Sequence, residues 1–532
     1  MSEKRLLLGD EAVALGALYA GLSGVYAYPG TPSTEITEYI QQSPLARERG
    51  VRSRWCTNEK TAMEAALGMS YAGKRALVCM KHVGMNVCAD AFVNAAVTGV
   101  KGGLVVLAAD DPSMHSSQNE QDSRFYGRFA MVPILEPSCQ QEAFDMVADA
   151  FALSESLRLP VLMRLVTRLA HSRAAVQIGA PLPQNAFDPD DERTRWVLLP
   201  GNAKRQYASL VAKQEEIGSR AGTSPRNTLS LGEKGGLGVI AAGIGHNYVR
   251  EVLPAGVSVL KLSQYPLPAS QVRSLAAHCG RILVVEDGQP FAEEQVRALL
   301  GPDYPVQGRL DGPLPRTGEL TPDCVAAALG VGGAAPHAPA LNLAARPPQL
   351  CQGCGHRDVY AALNRVVEEF PGARVFGDIG CYTLGALPPF RAIDSCVDMG
   401  ASITMAKGAA DAGLRPAIAV IGDSTFTHSG MTGLLDAVND RSAITVIISD
   451  NLTTAMTGGQ DSAGTHKYEA ICLALGVERE HLHVVVPLPA NMEEITRILR
   501  EEIAYEGVSV IIPQRECMQT LGRKLRQKKQ QS

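Results

Sequence analysis

Short, nearly continuous Val/Ile/Leu runs recur along the chain, each followed by Gly, Asp or Pro and then by a helical pattern. They fall in 24–32, 75–84, 102–112, 160–168, 237–243 and 281–288, and again in 373–381, 417–424, 443–451 and 508–517. Runs without polar alternation are what parallel strands covered on both faces look like. Intervening amphipathic stretches such as Thr61–Gly73 and Gly430–Asn439 predict crossover helices, hence α/β layers. Strand ends rich in Gly and Asp place polar groups at the carboxyl edge, where open α/β sheets bind ligands.

Two weak segments interrupt this rhythm. Residues 180–236 are polar and broken by Gly and Pro, and 330–350 are Ala/Pro/Gly-rich with almost no charge. The division expected is a large α/β domain over 1–180, an irregular connection over 181–236 and a small α/β domain over 237–330. A linker over 331–350 and a second large domain over 351–532 complete it. A length of 532 residues fits about three domains.

Charge narrows the functional classes. Fifty Lys and Arg against 55 Asp and Glu leave a net charge of −5, which argues against nucleic acid as a partner. Only the tail after Cys517 is basic, and such a run reads as a solvated or frayed end. The longest apolar runs, near 417–421 and 443–448, fall far short of the ~18–20 residues a membrane span needs. The N-terminus lacks the apolar stretch of a signal peptide. A cytoplasmic protein with no membrane association is expected, and its twelve cysteines read as buried thiols, metal ligands or catalytic groups rather than a disulfide framework.

The most informative motif is Gly422-Asp423-Ser424, followed 25 residues later by Asp450-Asn451. Strand 417–422, a helix and strand 444–449 bring both ends to one sheet edge, with a carboxylate and an amide together over a helix N-terminus. Such a site can hold Mg²⁺ through oxygen ligands with a diphosphate completing the shell, and the Thr453 carbonyl can add a third protein ligand. The arrangement resembles the thiamine-diphosphate signature, GDG then NN, with Ser424 in place of the last Gly and Asp450 in place of the first Asn. The following MTGGQ, 456–460, includes Gly458 and Gly459 as further candidates for cofactor contact. Thiamine chemistry also needs a carboxyl beside N1′ of its aminopyrimidine, and Glu59, at a strand-to-helix turn, fits. By itself Glu59 reads rather as a first-turn glutamate favoured by the helix dipole; beside the C-terminal motif, the cofactor contact is the better reading.

The segments YPGTPSTEI (28–36), NEKTAMEAALGMSYAG (58–73), KHVGMNVCAD (81–90), AADDPSMHSSQNEQDSR (108–124), CQGCGHR (351–357), DIGCYTLGALPP (378–389) and MGASITMAKG (399–408) carry a wider resemblance. Together they are similar to the 2-oxoacid:ferredoxin oxidoreductase family, in particular the α subunits of indolepyruvate ferredoxin oxidoreductases. The likeness spans nearly the whole chain in the family's order. It implies a thiamine-diphosphate-binding fold: two large doubly wound parallel-sheet domains, pyrimidine-binding and pyrophosphate-binding, with a smaller α/β, transketolase C-terminal-like domain between them. It implies Thr31 near the thiazolium and substrate, Glu59 on the pyrimidine, and Asp423, Asn451 and Thr453 on Mg²⁺, with Gly422 and Ser424 close to the diphosphate. His82, Ser116, Ser117, Gln118 and Arg124 become candidates for the substrate pocket, Arg124 as partner of a 2-oxoacid carboxylate. His82 and Arg124 read equally as an interior histidine and a structural ion pair.

Cys351 and Cys354 form a CxxC, Cys381 follows at a strand end, and Cys517 lies after the last strand. The resemblance implies a [4Fe–4S] cluster on these four; a Cys₄ zinc site, a redox dithiol and simple buried thiols are the alternatives. The other eight cysteines read as small buried hydrophobes. Relatives of this type carry a C-terminal ferredoxin-like domain with two CxxCxxCxxxCP runs, and this sequence shows no such run. An onward relay from another polypeptide is therefore expected, together with a β-type partner subunit. The implied activity is oxidative decarboxylation of aryl 2-oxoacids to acyl-CoA, electrons passing to ferredoxin or a similar acceptor. A non-oxidative thiamine decarboxylase or carboligase, and a scaffold subunit without catalysis, are the rivals.

Overall fold

A computed structural model describes residues 3–332, 344 and 347–531. The chain forms two compact units, Met1–Ala338 and Pro339–Ser532.

In the first unit a seven-stranded sheet runs in the order Gln264–Tyr265, Ile134–Leu135, Val161–Val166, Leu104–Asp110, Ala76–Lys81, Gly24–Ala27 and Arg52–Trp55. All its pairings are parallel except that of Gln264–Tyr265. The side-chain period of two splits each central strand between two cores. Leu77 and Cys79 join one apolar cluster with Leu107, while Ala76, Val78 and Met80 join another with Val106 and Ala108. Helices cover both faces, as the unalternated runs require. The helix Glu59–Tyr71 starts where Asn58 Oδ1 accepts the Thr61 N–H at 2.9 Å, a side-chain cap for an otherwise orphan donor.

A five-stranded sheet in the same unit has the order Val306–Gln307, Arg281–Val285, Leu237–Ala242, Ser258–Leu262 and Thr228–Ser230. Its chain lends Gln264–Tyr265 to the larger sheet, against Ile134–Leu135. A separate antiparallel pair joins Glu3–Leu8 to Arg173–Ile178.

The second unit is built on one six-stranded, all-parallel sheet. Its order is Ser395–Cys396, Arg374–Gly377, Ala417–Gly422, Ile444–Ser449, Val508–Pro513 and Leu482–Val485. Ala419 and Ile421 face one core, Ile418 and Val420 the other. Gly422 pairs with Ser449 in the register, so Asp423 and Asp450 leave the carboxyl edge side by side.

Three expectations change. Segment 181–236 is not irregular: it carries the helices Pro200–Ala212 and Gln214–Gly222. Pro200 opens the first of them, Leu210 and Ile217 are buried, and Lys213 Nζ donates to the Leu157 carbonyl at 2.6 Å. The basic tail is solvated as expected, exposed over 523–529, but helical from Met518 to Gln531 rather than frayed. Of the eight supposedly buried cysteines, Cys396 is exposed and Cys56, Cys139 and Cys324 are half-buried. Most of the linker 331–350 lies outside the described residues.

Candidate functional site

At the carboxyl edge of the second unit, Asp423 Oδ1 accepts the Ser424 N–H at 2.7 Å and Oδ2 the Thr453 N–H at 3.1 Å. The left-handed φ of 63° at Leu452 turns the chain so that Thr453 comes back to Asp423. Asp450 is also buried; its carboxylate accepts the Leu452 N–H at 3.0 Å and Gln514 Nε2 at 2.7 Å. Burial, then the neighbouring Asp450 charge, holds the Asp423 carboxyl well above its ordinary range. Asn451 Oδ1 is buried without a hydrogen-bond partner. Two adjacent buried carboxyls and an orphan amide oxygen are a costly arrangement for a protein alone. They fit a hard divalent cation, which takes oxygen ligands and offsets both costs. The substituted positions keep the loop closed, since Ser424 Oγ lies 2.9 Å from Thr454 Oγ1. A Cβ at Gly422 would meet the Tyr382 ring at 2.5 Å. Gly458 and Gly459 have φ of 131° and 92°, which glycine adopts without strain.

All four candidate cluster cysteines line one cavity of about 250 Å³, and Asp450, Asn451 and His356 line it too. Cys351 is exposed at the rim, where Gln519 Nε2 lies 3.6 Å from its sulfur; Cys354, Cys381 and Cys517 are half-buried. Burial, then the other three thiols, pushes Cys381 up to about 12, and burial also raises Cys354. Among the described residues, no three of these sulfurs lie within 4.8 Å of one another. Tetrahedral zinc at 2.3 Å from each sulfur would hold them about 3.8 Å apart, closer than these sulfurs stand. The cysteines are also tied to the oxygen site: the Cys517 N–H donates to the Asn451 carbonyl at 3.1 Å and the Arg515 N–H to the Asp450 carbonyl at 3.0 Å.

In the first unit, Glu59 is the first residue of its helix and 6% exposed. Gly84 makes room for it, since a Cβ there would lie 2.7 Å from Glu59 Oε1. Thr31 lies in the loop between Gly24–Ala27 and the helix Thr34–Gln42, closed by the Ser33 hydroxyl on the Gly30 carbonyl at 2.8 Å. His82 is fully buried with Nε2 3.2 Å from Asn119 Oδ1 and Nδ1 without a partner; burial lowers its pKa. Ser116 N–H and Ser117 Oγ donate to Asp111 Oδ2 at 2.9 and 2.5 Å, and Gln118 is exposed. Lys81, not singled out from the sequence, donates to the Ser116 carbonyl at 2.6 Å and packs against Gly30. Burial lowers it to about 8. Its position at the end of a fully apolar strand was the signal available.

Arg124 offers no free guanidinium edge to a substrate carboxylate. It is fully buried and bonded to Asp122, to Glu286 at 2.8 Å, to Tyr265 Oη at 3.1 Å and to the Gln289 carbonyl at 3.0 Å. Its neighbour Arg164 pairs with Asp110 at 2.5 Å and with Glu136. The structural ion pair is the reading that holds, because every guanidinium edge is already engaged.

Residues 15–216 match the family model for the pyruvate flavodoxin/ferredoxin oxidoreductase, thiamine diP-binding domain. Residues 378–512 match the C-terminal TPP-binding domain of thiamine pyrophosphate enzymes. The indolepyruvate oxidoreductase subunit IorA of Methanothermobacter thermautotrophicus is 39% identical over 98% of this chain and 88% of its own length. That of Thermococcus kodakarensis is 36% identical over 97% and 86%. The chain belongs to the indolepyruvate oxidoreductase subunit IorA family. A more distant relative of this IorA-family chain is the 2-oxoglutarate synthase subunit KorA of the same Methanothermobacter, 26% identical over 60% of the chain and 98% of the relative. The fold is also that of the 2-oxoglutarate:ferredoxin oxidoreductase from Magnetococcus marinus, with a TM-score of 0.51 and 18% identity over 62% of this chain and 65% of that one. No described helix of the IorA-family chain is long and apolar enough to cross a membrane.

Proposed function

We propose that this IorA-family chain is the thiamine-diphosphate-bearing α-type subunit of an enzyme that oxidatively decarboxylates aryl 2-oxoacids, indolepyruvate among them, to acyl-CoA. A β-type subunit completes the reaction, and ferredoxin or an equivalent takes the electrons. The observation that carries the reading is the shared cavity: an unpartnered Asn451 amide oxygen and four cysteines line the same space. An enzyme needing only decarboxylation has no use for the second set.

Asp423, Asn451 and the Thr453 carbonyl hold Mg²⁺, and Gly422, Ser424, Gly458 and Gly459 let the backbone approach the diphosphate. Cys351, Cys354, Cys381 and Cys517 hold a [4Fe–4S] cluster. When bound, thiamine diphosphate supplies the nucleophilic carbon and electron sink that 2-oxoacid decarboxylation requires. Glu59, whose side chain fills the room that Gly84 leaves, would hold a proton at the pyrimidine N1′. Thr31 and His82 orient the reacting carbonyl, and Lys81 offers a positive charge to the anionic substrate below about pH 8. The domain assignment follows: 1–180 pyrimidine-binding, 237–330 the small α/β domain and 351–532 pyrophosphate-binding, in a protein of the cytoplasm.

Anaerobic co-purification with the β-type subunit tests this by iron, acid-labile sulfide and thiamine analysis with EPR. About four irons per chain, bound thiamine and a signal that appears on adding an aryl 2-oxoacid are expected. Thiamine without iron would replace this reading with a non-oxidative decarboxylase or carboligase.

A further inference from the structure

Three side chains outside the site described above converge in the first unit. Asp10 lies in the first turn of the helix Gly9–Tyr19, Glu35 in the first turn of Thr34–Gln42, and His171 at the end of Thr167–Ala170. One ligand atom from each lies within 4.8 Å of the others. His171 Nε2 is 3.5 Å from Glu35 Oε1 and 3.9 Å from Asp10 Oδ2.

Asp10 sets this cluster apart from an ordinary surface group of acids. Its side chain is fully buried, and neither carboxylate oxygen has a hydrogen-bond partner; Glu35 Oε2 also lacks one. Glu11, the next acid along, is turned elsewhere: it accepts the Leu8 N–H at 2.8 Å and lies 3.9 Å from Arg173. Among the described residues, no lysine or arginine pairs with Asp10 or Glu35. Proteins rarely leave a buried carboxyl so bare, because desolvation is not repaid by any donor. His171 and Glu35 pair with each other, which leaves both Asp10 oxygens unmatched; a divalent cation between them accounts for all three groups together.

We propose that Asp10, Glu35 and His171 bind a divalent transition-metal ion, in addition to the Mg²⁺ assigned to Asp423. Two carboxylates and one imidazole are a ligand set for Mn²⁺, Zn²⁺ or Fe²⁺, not the all-oxygen set that Mg²⁺ prefers. Such an ion ties together three helices that follow three different strands. Glu35 is four residues beyond Thr31, so the ion also fixes the end of the Thr31 loop, closed at its other side by Ser33 on Gly30. The metal assignment does not depend on the reaction proposed above.

The test uses the full chain, saturated with thiamine diphosphate and Mg²⁺, titrated with Mn²⁺ and examined by pulse EPR and by metal analysis after dialysis. One further Mn²⁺ per chain is expected, with a nitrogen coupling from a single imidazole. H171A should abolish that coupling and weaken retention at least tenfold, and D10N should weaken it similarly. His171 is partly exposed, so its variant is the control against misfolding of D10N. Mn²⁺ bound without an imidazole coupling, or retained equally by wild type and H171A, would overturn the proposal. So would the absence of any Mn²⁺ beyond the diphosphate site.

Discussion

Two regions of this chain bury several charged groups, and they treat them in opposite ways. Around Arg124 and Arg164, every buried acid has a donor: Asp110, Asp122, Glu136 and Glu286 share two guanidiniums, with Tyr265 Oη donating to Glu136 at 2.7 Å, although burial still raises Asp110 and takes Glu286 to about 7. Burial pushes Asp122 up, but the two arginines outweigh it and hold the carboxyl down at about 2. Around Asp423, a second carboxyl stands beside the first, and an amide oxygen faces nothing. Complete satisfaction marks a structural joint, here between the two larger sheets of the first unit. Incomplete satisfaction marks a place built for something that arrives later.

The largest effect expected is on catalysis. Glu59→Gln removes the proton-holding carboxyl but keeps its shape, and turnover should fall by about 10²–10⁴-fold with thermal stability unchanged. Wild-type turnover in that variant would remove Glu59 from the site. Asp423→Asn should follow: calorimetric titration with thiamine diphosphate and Mg²⁺ should show at least tenfold weaker binding, while the empty protein melts no lower than wild type. A large loss of stability would place Asp423 with the satisfied joint.

Arg164→Leu should do the reverse. Removing one partner of a buried pair leaves its acids uncompensated, at a cost of about 3–5 kcal/mol. Denaturant unfolding should report that loss, and thiamine diphosphate should not restore it. A variant as stable as wild type would show that the network carries little of the joint.

Asp378 gives a smaller and intermediate case. It is buried, accepts from Ser402 Oγ at 2.6 Å and from the Tyr382 hydroxyl, and burial raises it to about 6. A carboxyl whose folded pKa lies above its unfolded value stabilises the fold fully below about pH 4, and that contribution is lost as pH rises to about 6. The difference amounts to about 3 kcal/mol at most. Asp378→Asn should flatten this part of the stability–pH curve. A slope that persists in the variant would assign it to another group.

Sequence patterning disclosed the strands buried on both faces and much less of the rest. Runs such as Ala76–Met80 and Val446–Ile448 are apolar without alternation because both faces are covered, and that signal is local. Arg52–Trp55 is half-exposed and Leu482–Val485 is only partly buried, so no apolar run announces them. Gln264–Tyr265 is a strand only because Ile134–Leu135 lies opposite. The helices in 181–236 rest on a few buried contacts such as Leu210 and Ile217, among polar residues that read as loop. The site followed the same division. The spacing from Asp423 to Asn451 is a register property of one βαβ unit and was readable. The engagement of Arg124 depends on Glu286 and Gln289, more than 160 residues away, and was not. Lys81 and Asp378 owe their shifted protonation to burial, which no motif encodes.

The lent strand and the ion network also set an order of events at the ribosome. N-terminal segments fold first as a chain emerges, yet the seven-stranded sheet lacks its edge until Gln264–Tyr265 has been made. Arg124 lacks Glu286 and the Gln289 carbonyl for longer still. Through the translation of more than a hundred codons, the nascent first unit therefore holds a guanidinium destined for a dry interior without its full complement of partners. Its completion comes late, and a pause or truncation between codons 170 and 290 would leave a partly assembled sheet with an open edge for chaperones to shield.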